Sequence, residues 1–245
     1  MDVNQAKQDI RQRMWQLLER EQAVPPGSYG KIPGFYGAEQ TAVGLAGLPA
    51  WQQARTVKAN PDYAQLHVRV RALNDGKLLY MAVPKIADAQ PFYLLDPEHL
   101  DLPAAIAAEK SGAARSARRI GLNEMRPIDI VVCGSVAVNR LGTRIGKGAG
   151  YSDLEVALLI EAGLVTDQTL IVAPVHQLQV VEDEIPETEH DFSVDVIITP
   201  DDVIECGSPR RPRGIIWKDL TPQQVEAIPV LKARQKQYYL GARHL

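Results

Sequence analysis

Residues 128–155 read IDIVVCGSVAVNRLGTRIGKGAGYSDLE, and this stretch decides the fold class. Its first part, IDIVVCGSVAV at 128–138, is a continuous β-branched run preceded by Pro127, which is typical of a buried strand in a parallel sheet. A glycine-rich loop follows, and a helical pattern begins near Ser152. A strand that leads through a short loop into a helix is the repeating unit of a parallel α/β sheet.

The rest of the chain repeats this alternation on both sides. Further strand patterns lie at 77–83, 92–95, 170–175 and 194–199, and a short helix runs into a strand within 47–60. Helical patterns lie at 4–21, 101–119, 153–162 and 221–237, whereas 27–50 reads as an irregular connection rich in Gly, Pro and Tyr. The pattern predicts one α/β domain over residues 1–245. It has three layers, with a mainly parallel sheet and helices on both faces.

The composition is that of an ordinary globular protein. The 245 residues are 45% hydrophobic and 23% charged, which excludes wholesale disorder. The net charge of -3 argues against non-specific nucleic-acid binding by the whole chain. Two cysteines exclude a disulfide framework. Because the chain shows neither a signal-peptide pattern nor the roughly 20 apolar residues of a membrane span, we expect a soluble cytoplasmic protein.

The glycine-rich loop has the physical features of an anion-binding site. It contains Gly142, Gly146, Gly148 and Gly150, together with Arg144 and Lys147. Glycines let backbone N–H groups approach oxygens closely, and the Ser152–Glu155 spacing predicts a capping box that starts a helix whose dipole favours phosphate. The alternative is a tight structural loop that binds no ligand, in which the glycines are present only because the backbone needs positive φ angles. The spacing matches neither the Walker nor the Rossmann motif.

Two further groups of charged residues are candidates for the same site. Lys7 and Arg11 lie four residues apart and share a helix face, where they either face an anion or form a solvated surface. Asp153 is either an ordinary acid in the first turn of a helix or a Mg²⁺ ligand beside the phosphate. Asp191 or Asp195, before a late strand, could complete a metal or phosphate site or serve as turn and cap residues.

These segments, in this order, resemble the 5-formyltetrahydrofolate cyclo-ligase family. The family's K-x-x-x-R helix is matched by Lys7 and Arg11, and its G-x-R-x-G-x-G-x-G-Y-Y-D-R segment by residues 142–154. Its acidic turn is matched by Asp191 and Asp195, and its entry from helix to strand by PAWQQARTV. The resemblance covers most of residues 5–205, and the glycine segment is its specific part.

The resemblance implies a three-layer α/β fold of the cyclo-ligase and CoA-transferase-like type. It also implies a ring-closing ligase that uses ATP and Mg²⁺ to convert 5-formyltetrahydrofolate to 5,10-methenyltetrahydrofolate. The implied catalytic residues are Arg144, Tyr151 and Asp153. The implied nucleotide-binding residues are Lys7, Arg11, Gly142, Gly146, Lys147, Gly148, Gly150 and Tyr151. Asp153 and Asp191 would hold the Mg²⁺.

The sequence also departs from the family pattern. Ser152 and Leu154 replace the second Tyr and the Arg of Y-Y-D-R, and residues 60–64 lack the Glu that the family places beside the formyl group. Residues from about 206 to 245 form an extension, which we expect to pack on or near the domain. These features resemble a divergent paralog group linked to thiamine metabolism.

Three hypotheses therefore stay open. The first is a working cyclo-ligase. The second is a paralog that keeps the nucleotide site and acts on another small molecule. The third is a binding module that uses the basic runs at 115–119 and 210–213 against RNA, which we consider the weakest because no aromatic platform lies between those charges.

Overall fold

The computed structural model describes residues 2–207 and 209–241, with side chains as far as residue 236. The strands are β1 (Thr56–Ala59), β2 (Leu78–Ala82), β3 (Phe92–Leu95), β4 (Arg118–Ile120), β5 (Ile130–Val132), β6 (Ala137–Asn139), β7 (Arg144–Ile145), β8 (Leu170–Pro174), β9 (Val180–Val181), β10 (Val196–Ile198) and β11 (Val203–Glu205). The helices are α1 (Val3–Arg20), α2 (Ala38–Ala46), α3 (Pro49–Gln53), α4 (Leu66–Asn74), α5 (Ala104–Ala107), α6 (Lys110–Ser116), α7 (Tyr151–Glu161), α8 (Pro222–Ala227) and α9 (Pro229–Gly241).

A large sheet forms the middle layer. Its order within the described residues is β11-β10-β8-β5-β1-β2-β3-β4. The central strands β10, β8, β5, β1 and β2 run parallel, while β11, β3 and β4 pair antiparallel at the edges. Strands buried on both faces carry the continuous apolar runs that the sequence shows. The prediction of a mainly parallel sheet is confirmed.

Helices cover both faces of this sheet, because successive side chains of each strand point to opposite sides. In β5, Val131 packs in a cluster with Val156 and Leu158 of α7. Its neighbours Ile130 and Val132 pack on the other face with residues of α2, α3 and α4. The predicted three-layer α/β architecture is therefore confirmed.

A second, smaller sheet of order β7-β6-β9 carries α1. Ile10, Met14 and Leu18 of α1 bury their side chains against Val136, just before β6, and Ile145 of β7. The apolar stripe predicted for the first helix therefore packs on the segment that leads into the glycine-rich loop. As a consequence, the polar residues Lys7 and Arg11 of α1 are held beside that loop.

The predicted single strand at 128–138 is wrong. The run is two strands in two different sheets, β5 and β6, separated at residues 133–136. A Cβ on Gly134 would lie 2.9 Å from the Ile32 side chain and 3.1 Å from Asp62, so any larger residue there would push these side chains aside. The apolar pattern continued across the break because both strands are buried.

Three other sequence predictions also need correction. Residues 27–50 are not wholly irregular, since α2 lies within them. Gly37 begins α2 with a φ of 87°, and Gly44 lies tight against Ile198 of the sheet. The predicted helix at 101–119 is two short helices followed by strand β4. The C-terminal helical segment breaks at Ile228, where Pro229 starts α9.

Within the described residues no helix has the length and apolar character required to cross a membrane.

Candidate active site

A cavity of about 1430 Å³ opens where the parallel strands β1, β2 and β5 end. It is lined by α1, the loops after those three strands, the glycine-rich loop, the start of α7 and residues 188–191. Its last wall comes from residues 214–228, which we call the C-terminal wall. Ligands of α/β proteins bind at this edge of the sheet, and the volume exceeds the roughly 300–1,000 Å³ of a typical single-ligand pocket. The cavity has room for two ligands.

The glycine-rich loop runs from the β6–β7 hairpin to α7. Gly148 and Gly150 have φ values of 99° and 71°, a region that favours glycine. The carbonyl oxygen of Gly146 accepts a hydrogen bond of 2.7 Å from Nε of Arg11. The Arg11 guanidinium also lies 3.4 Å from the position that a Cβ on Gly148 would occupy. The loop and Arg11 are thus in direct contact, and the φ of Gly148 disfavours any other residue there.

Gly142 lies elsewhere. It turns the β6–β7 hairpin, where its N–H donates to Asn139 and its carbonyl accepts from Val194. A Cβ on this residue would lie 2.2 Å from the Val194 carbonyl oxygen. Gly142 is not among the residues that line the cavity. We therefore assign this glycine to the hairpin turn and no longer to the ligand.

The predicted capping box at the start of α7 is wrong. The cap residue is Gly150, and no side chain caps the helix. Ser152 Oγ is buried without a hydrogen-bond partner among the described residues, and Glu155 points into the protein interior. The first N–H groups of α7 are therefore left uncapped beside the cavity, an arrangement that favours an anion.

One side of α7 faces cations, and we call this the cation-rich side (Lys7, Arg11, Arg144 and Lys147). Arg144 is 2% exposed, forms an ion pair with Asp153, and stacks 3.8 Å from the ring centre of Phe192. Burial raises the pKa of Asp153, nearby Asp191 acts in the same direction, and Arg144 opposes both. Nε of Arg144 has no hydrogen-bond partner among the described residues, so this guanidinium keeps capacity for a ligand.

Lys7 does not lie on a solvated face. Its Nζ donates to Oδ2 of Asp191 at 2.5 Å, and the two residues are 6% and 8% exposed. The same carboxylate oxygen accepts from the N–H and hydroxyl of Thr188 at 2.5 and 2.9 Å. Burial alone would raise the pKa of Asp191, but these hydrogen bonds hold it below the ordinary value. Asp195 instead binds Arg211 at 2.5 Å, away from the cavity lining.

Carboxylates in this region suit a divalent cation only together with other ligands. The described residues contain no cluster of three or more His, Cys, Asp or Glu that would hold a metal ion by itself. Asp153 and Asp191 lie close enough to influence one another, and each already pairs with a cation. Mg²⁺ is commonly held by one or two carboxylates plus substrate phosphates and water, and this donor set fits that pattern.

The other side of α7 presents acceptors, and we call it the acceptor-rich side (Asn60, Asp62 and Glu155). Glu155 forms a fully buried ion pair with Lys58 of β1 and accepts a hydrogen bond of 3.2 Å from Nδ2 of Asn60. Burial raises the pKa of Asp62, with Lys147 opposing from 4.0 Å. The sequence analysis missed Lys58, Asn60 and Asp62 as site residues. The sequence does carry a signal for them, which is a lysine within the buried strand TVKA followed closely by Asn60 and Asp62.

The loop after β2 also shows strain at the cavity. Lys85 and Ile86 have φ values of 60° and 53°, although neither is glycine. For a β-branched residue such as Ile86 this conformation is costly and persists only where the surroundings enforce it. Both residues line the cavity, and Ile86 is 1% exposed.

The C-terminal wall is attached at its middle and near its carboxyl end. Val225 and Ile228 pack in the same core cluster as Leu158 of α7. Nε2 of His190 lies 3.1 Å from Oδ2 of Asp219, and this contact links the wall to the turn that carries Asp191. The wall therefore closes the cavity beside the cation-rich side.

The model of one protein family matches residues 3–200, and it is described as the 5-formyltetrahydrofolate cyclo-ligase family. The chain belongs to this family. Two relatives called methenyltetrahydrofolate synthase domain-containing protein are 36% identical over 244 residues in Bos taurus and 38% identical over 247 residues in Mus musculus. Each match covers 95% of this chain but only 62% and 64% of the relative, so the chain spans less than two thirds of those proteins.

A solved structure has a similar fold. The structure of the Aquifex aeolicus 5,10-methenyltetrahydrofolate synthetase superimposes with a TM-score of 0.53 at 19% identity, covering 86% of this chain and 96% of that one. At this identity the likeness supports the fold. The C-terminal wall begins after residue 200, where the family match ends. This cyclo-ligase family member therefore builds one wall of its cavity from residues outside the family match.

Proposed function

We propose that this protein is an enzyme of the 5-formyltetrahydrofolate cyclo-ligase type that uses MgATP and acts in the cytoplasm. One observation carries the proposal. Three buried or half-buried cations and the uncapped start of α7 converge on a cavity large enough for two ligands, at the carboxyl edge of the sheet. Phosphoryl transfer depends on positioning and charge stabilisation more than on covalent chemistry by the protein, and this arrangement supplies both.

On the cation-rich side, the residues of this chain would hold phosphates. Arg11 and Lys147 present positive charge at the glycine-rich loop, and the N–H groups after Gly150 would bind phosphate oxygens. Arg144 would orient Asp153 and balance its charge. Asp153, with Asp191 beside it, would hold Mg²⁺. Tyr151, the first residue of α7, lines the cavity at the junction of the two sides.

On the acceptor-rich side, the chain would bind the folate. When bound, MgATP supplies the phosphoryl group that turns the formyl oxygen into a leaving group. Asp62 lies in the segment where the family resemblance led us to expect a Glu, and its carboxylate lines the cavity. We assign Asp62 the role of that carboxylate, which is to hold the folate nitrogen next to the formyl group. The C-terminal wall and the loop after β2 would exclude water from the reacting atoms.

A second candidate function keeps the nucleotide and changes the other substrate. The wall after residue 200 and the replacement of the family's second Tyr by Ser152 both alter the cavity lining. They favour a paralog that phosphorylates or cyclises a different small molecule, and a thiamine-related compound is the candidate that the family resemblance suggests.

Binding of nucleic acid has little support. In the basic run at 115–119, Arg118 pairs with Glu124 at 2.5 Å and Arg119 with Asp88 at 2.6 Å. These acids reduce the positive potential that a nucleic-acid surface requires.

The deciding experiment incubates the purified protein with 5-formyltetrahydrofolate and MgATP and follows 5,10-methenyltetrahydrofolate by absorbance. An authentic family enzyme serves as the positive control, and the Asp153→Ala variant as the matched inactive protein. Turnover that disappears in Asp153→Ala supports the cyclo-ligase. If only the control turns over, while MgATP still raises the melting temperature of this protein, the second candidate replaces it.

A further inference from the structure

Lys58 and Glu155 form an ion pair in the interior beside the cavity. Lys58 is in the middle of β1 and 0% exposed, and Glu155 on α7 is 2% exposed. Taking both charges out of water is costly, and a buried ion pair is often no more stabilising than two apolar residues of the same size. Packing of α7 on the sheet therefore does not by itself explain this pair. Its geometry toward Asn60 suggests another role.

Glu155 fixes the orientation of the Asn60 amide. Nδ2 of Asn60 donates to Oε2 of Glu155 at 3.2 Å. Lys58 pairs with the other carboxylate oxygen, Oε1, so Oε2 is the atom that faces the amide and accepts from its NH₂ group. The amide oxygen of Asn60 must consequently point the other way.

That oxygen is an unused acceptor in a residue of the cavity lining. Asn60 is 8% exposed and lines the cavity, and its Oδ1 is buried with no hydrogen-bond partner among the described residues. The backbone of Asn60 is held from both sides, since its N–H donates to Gln65 at 2.8 Å and its carbonyl accepts from Arg69 at 2.6 Å. A buried acceptor without a donor is unfavourable, and it is tolerated where a ligand supplies the missing hydrogen bond.

We propose that Oδ1 of Asn60 accepts an N–H hydrogen bond from the second substrate, and that the Lys58–Glu155 pair is a positioning device that keeps this acceptor turned toward the cavity. The proposal deepens the proposed function, because it assigns the substrate recognised on the acceptor-rich side. The carboxylate of Asp62 is a second acceptor close by, and Lys147 is its charged neighbour at 4.0 Å. Two acceptors select a heterocycle that carries an exocyclic amino group.

The first test measures this selectivity directly by calorimetry. The probes are pterin and 4-aminopyrimidine, each beside its counterpart with the amino group N,N-dimethylated. We expect the wild-type protein to bind an amino probe about tenfold or more tightly than its dimethylated counterpart. In Asn60→Ala this ratio should fall close to one. Asn74→Ala, which changes an exposed asparagine on α4, should keep the wild-type ratio.

The second test separates positioning from stability. In the double variant Lys58→Met/Glu155→Gln the site is neutral, and the new amide can offer either its oxygen or its NH₂ group to Asn60. The Asn60 amide can then turn over. We expect the amino-probe preference to drop by about tenfold in a protein that still unfolds cooperatively and still binds MgATP.

The outcomes distinguish this proposal from the proposed function. The proposal is overturned if the wild type shows no preference for either amino probe, or if the double variant folds and keeps the full preference. If the amino preference follows Asn60 but 5-formyltetrahydrofolate is not turned over, the recognition by Asn60 stands and the cyclo-ligase assignment fails.

Discussion

The two ends of strand β1 differ in how fully their polar groups are hydrogen-bonded. At the amino end, the carboxylate of Asp129 accepts hydrogen bonds from the N–H groups of Arg55 and Thr56 at 2.7 and 2.9 Å, and from the Thr56 hydroxyl at 2.9 Å. At the carboxyl end, Asn60 Oδ1 has no partner among the described residues, and the Asp62 carboxylate has only Lys147 Nζ within ion-pair distance, at 4.0 Å, among them. The amino end is built for stability, and the carboxyl end keeps its acceptors for a ligand.

The largest effect is expected at Lys58, which lies between the two ends. Lys58→Met leaves Glu155 as an unpaired buried charge, so the free energy of unfolding should fall by about 3–5 kcal/mol. Chemical denaturation measures this change. The matched control is Lys232→Met, which breaks the exposed ion pair with Glu226 and should cost at most about 1 kcal/mol. Equal losses in both variants would contradict the buried pairing of Lys58.

The comparison of the two ends is sharpened by one substitution at each. Asp62→Asn should not lower the free energy of unfolding, and it should lower kcat/KM for the second substrate about 10- to 100-fold, since a charged acceptor is lost. Asp129→Ala should lower the free energy of unfolding by about 1–2 kcal/mol, discounted for its exposure, with unchanged kcat/KM. Chemical denaturation gives the free energy of unfolding of both variants, and steady-state kinetics gives their kcat/KM. An activity loss confined to Asp129→Ala would contradict the assignment of the carboxyl end of β1 to ligand binding.

The same two carboxylates should respond to pH with opposite signs. Burial acts to raise the pKa of Asp129, but the hydrogen bonds from Arg55 and Thr56 hold it below its ordinary value of 3.8. A lowered folded-state pKa gives stability that is present above the ordinary pKa and is lost as the pH falls through the folded value. The deficit of Asp129→Ala should therefore be complete at about pH 6 and shrink progressively below about pH 3.8.

For Asp62 the sign is reversed, because burial raises its pKa above 3.8 against the opposing charge of Lys147. Ionising this group in the folded protein is unfavourable, so its contribution to stability declines as the pH rises from the ordinary toward the folded pKa. Asp62→Asn should thus gain stability relative to wild type near neutral pH and lose that gain in acid. Denaturation curves recorded across the acid range test both signs, and parallel pH profiles for the two variants would refute them.

The smallest effect is expected in the glycine-rich loop. Gly148→Ala strains a backbone with a φ of 99° in the loop that holds Arg11 beside the cavity, so MgATP affinity should fall about tenfold. Gly76→Ala is the control, because Gly76 has a φ of 73° but lies outside the cavity lining. It should lose stability by about 1 kcal/mol and keep its nucleotide affinity. Calorimetry on both variants separates strain in the glycine-rich loop from backbone strain elsewhere.

The cation-rich side was largely predictable because most of it is contiguous in sequence. Arg144, the glycines from Gly146 to Gly150, and Asp153 lie within ten residues, and the loop leads directly into helix α7, whose N-terminus favours an anion. The central strands were predictable for a related reason. Strands buried on both faces produce apolar runs that stand out from their surroundings.

The acceptor-rich side could not be found in the same way. Asn60 and Glu155 are 95 residues apart, so only the folded sheet brings them together. Glu155 also had a competing local explanation, the capping box with Ser152, and tertiary pairing with Lys58 prevailed over it. The break between β5 and β6 could not be predicted for a similar reason. The side chains that crowd Gly134 belong to Ile32 and Asp62, which lie far from it in sequence.

The C-terminal wall has a consequence for how such proteins diverge. Residues 214–228 shape the cavity, yet they follow the part of the chain that the family shares. Substitutions in this late segment would reshape the cavity without altering Arg11, Arg144 or the glycine-rich loop. Under the function proposed above, a descendant would then change its substrate while inheriting intact the residues that we assign to phosphate.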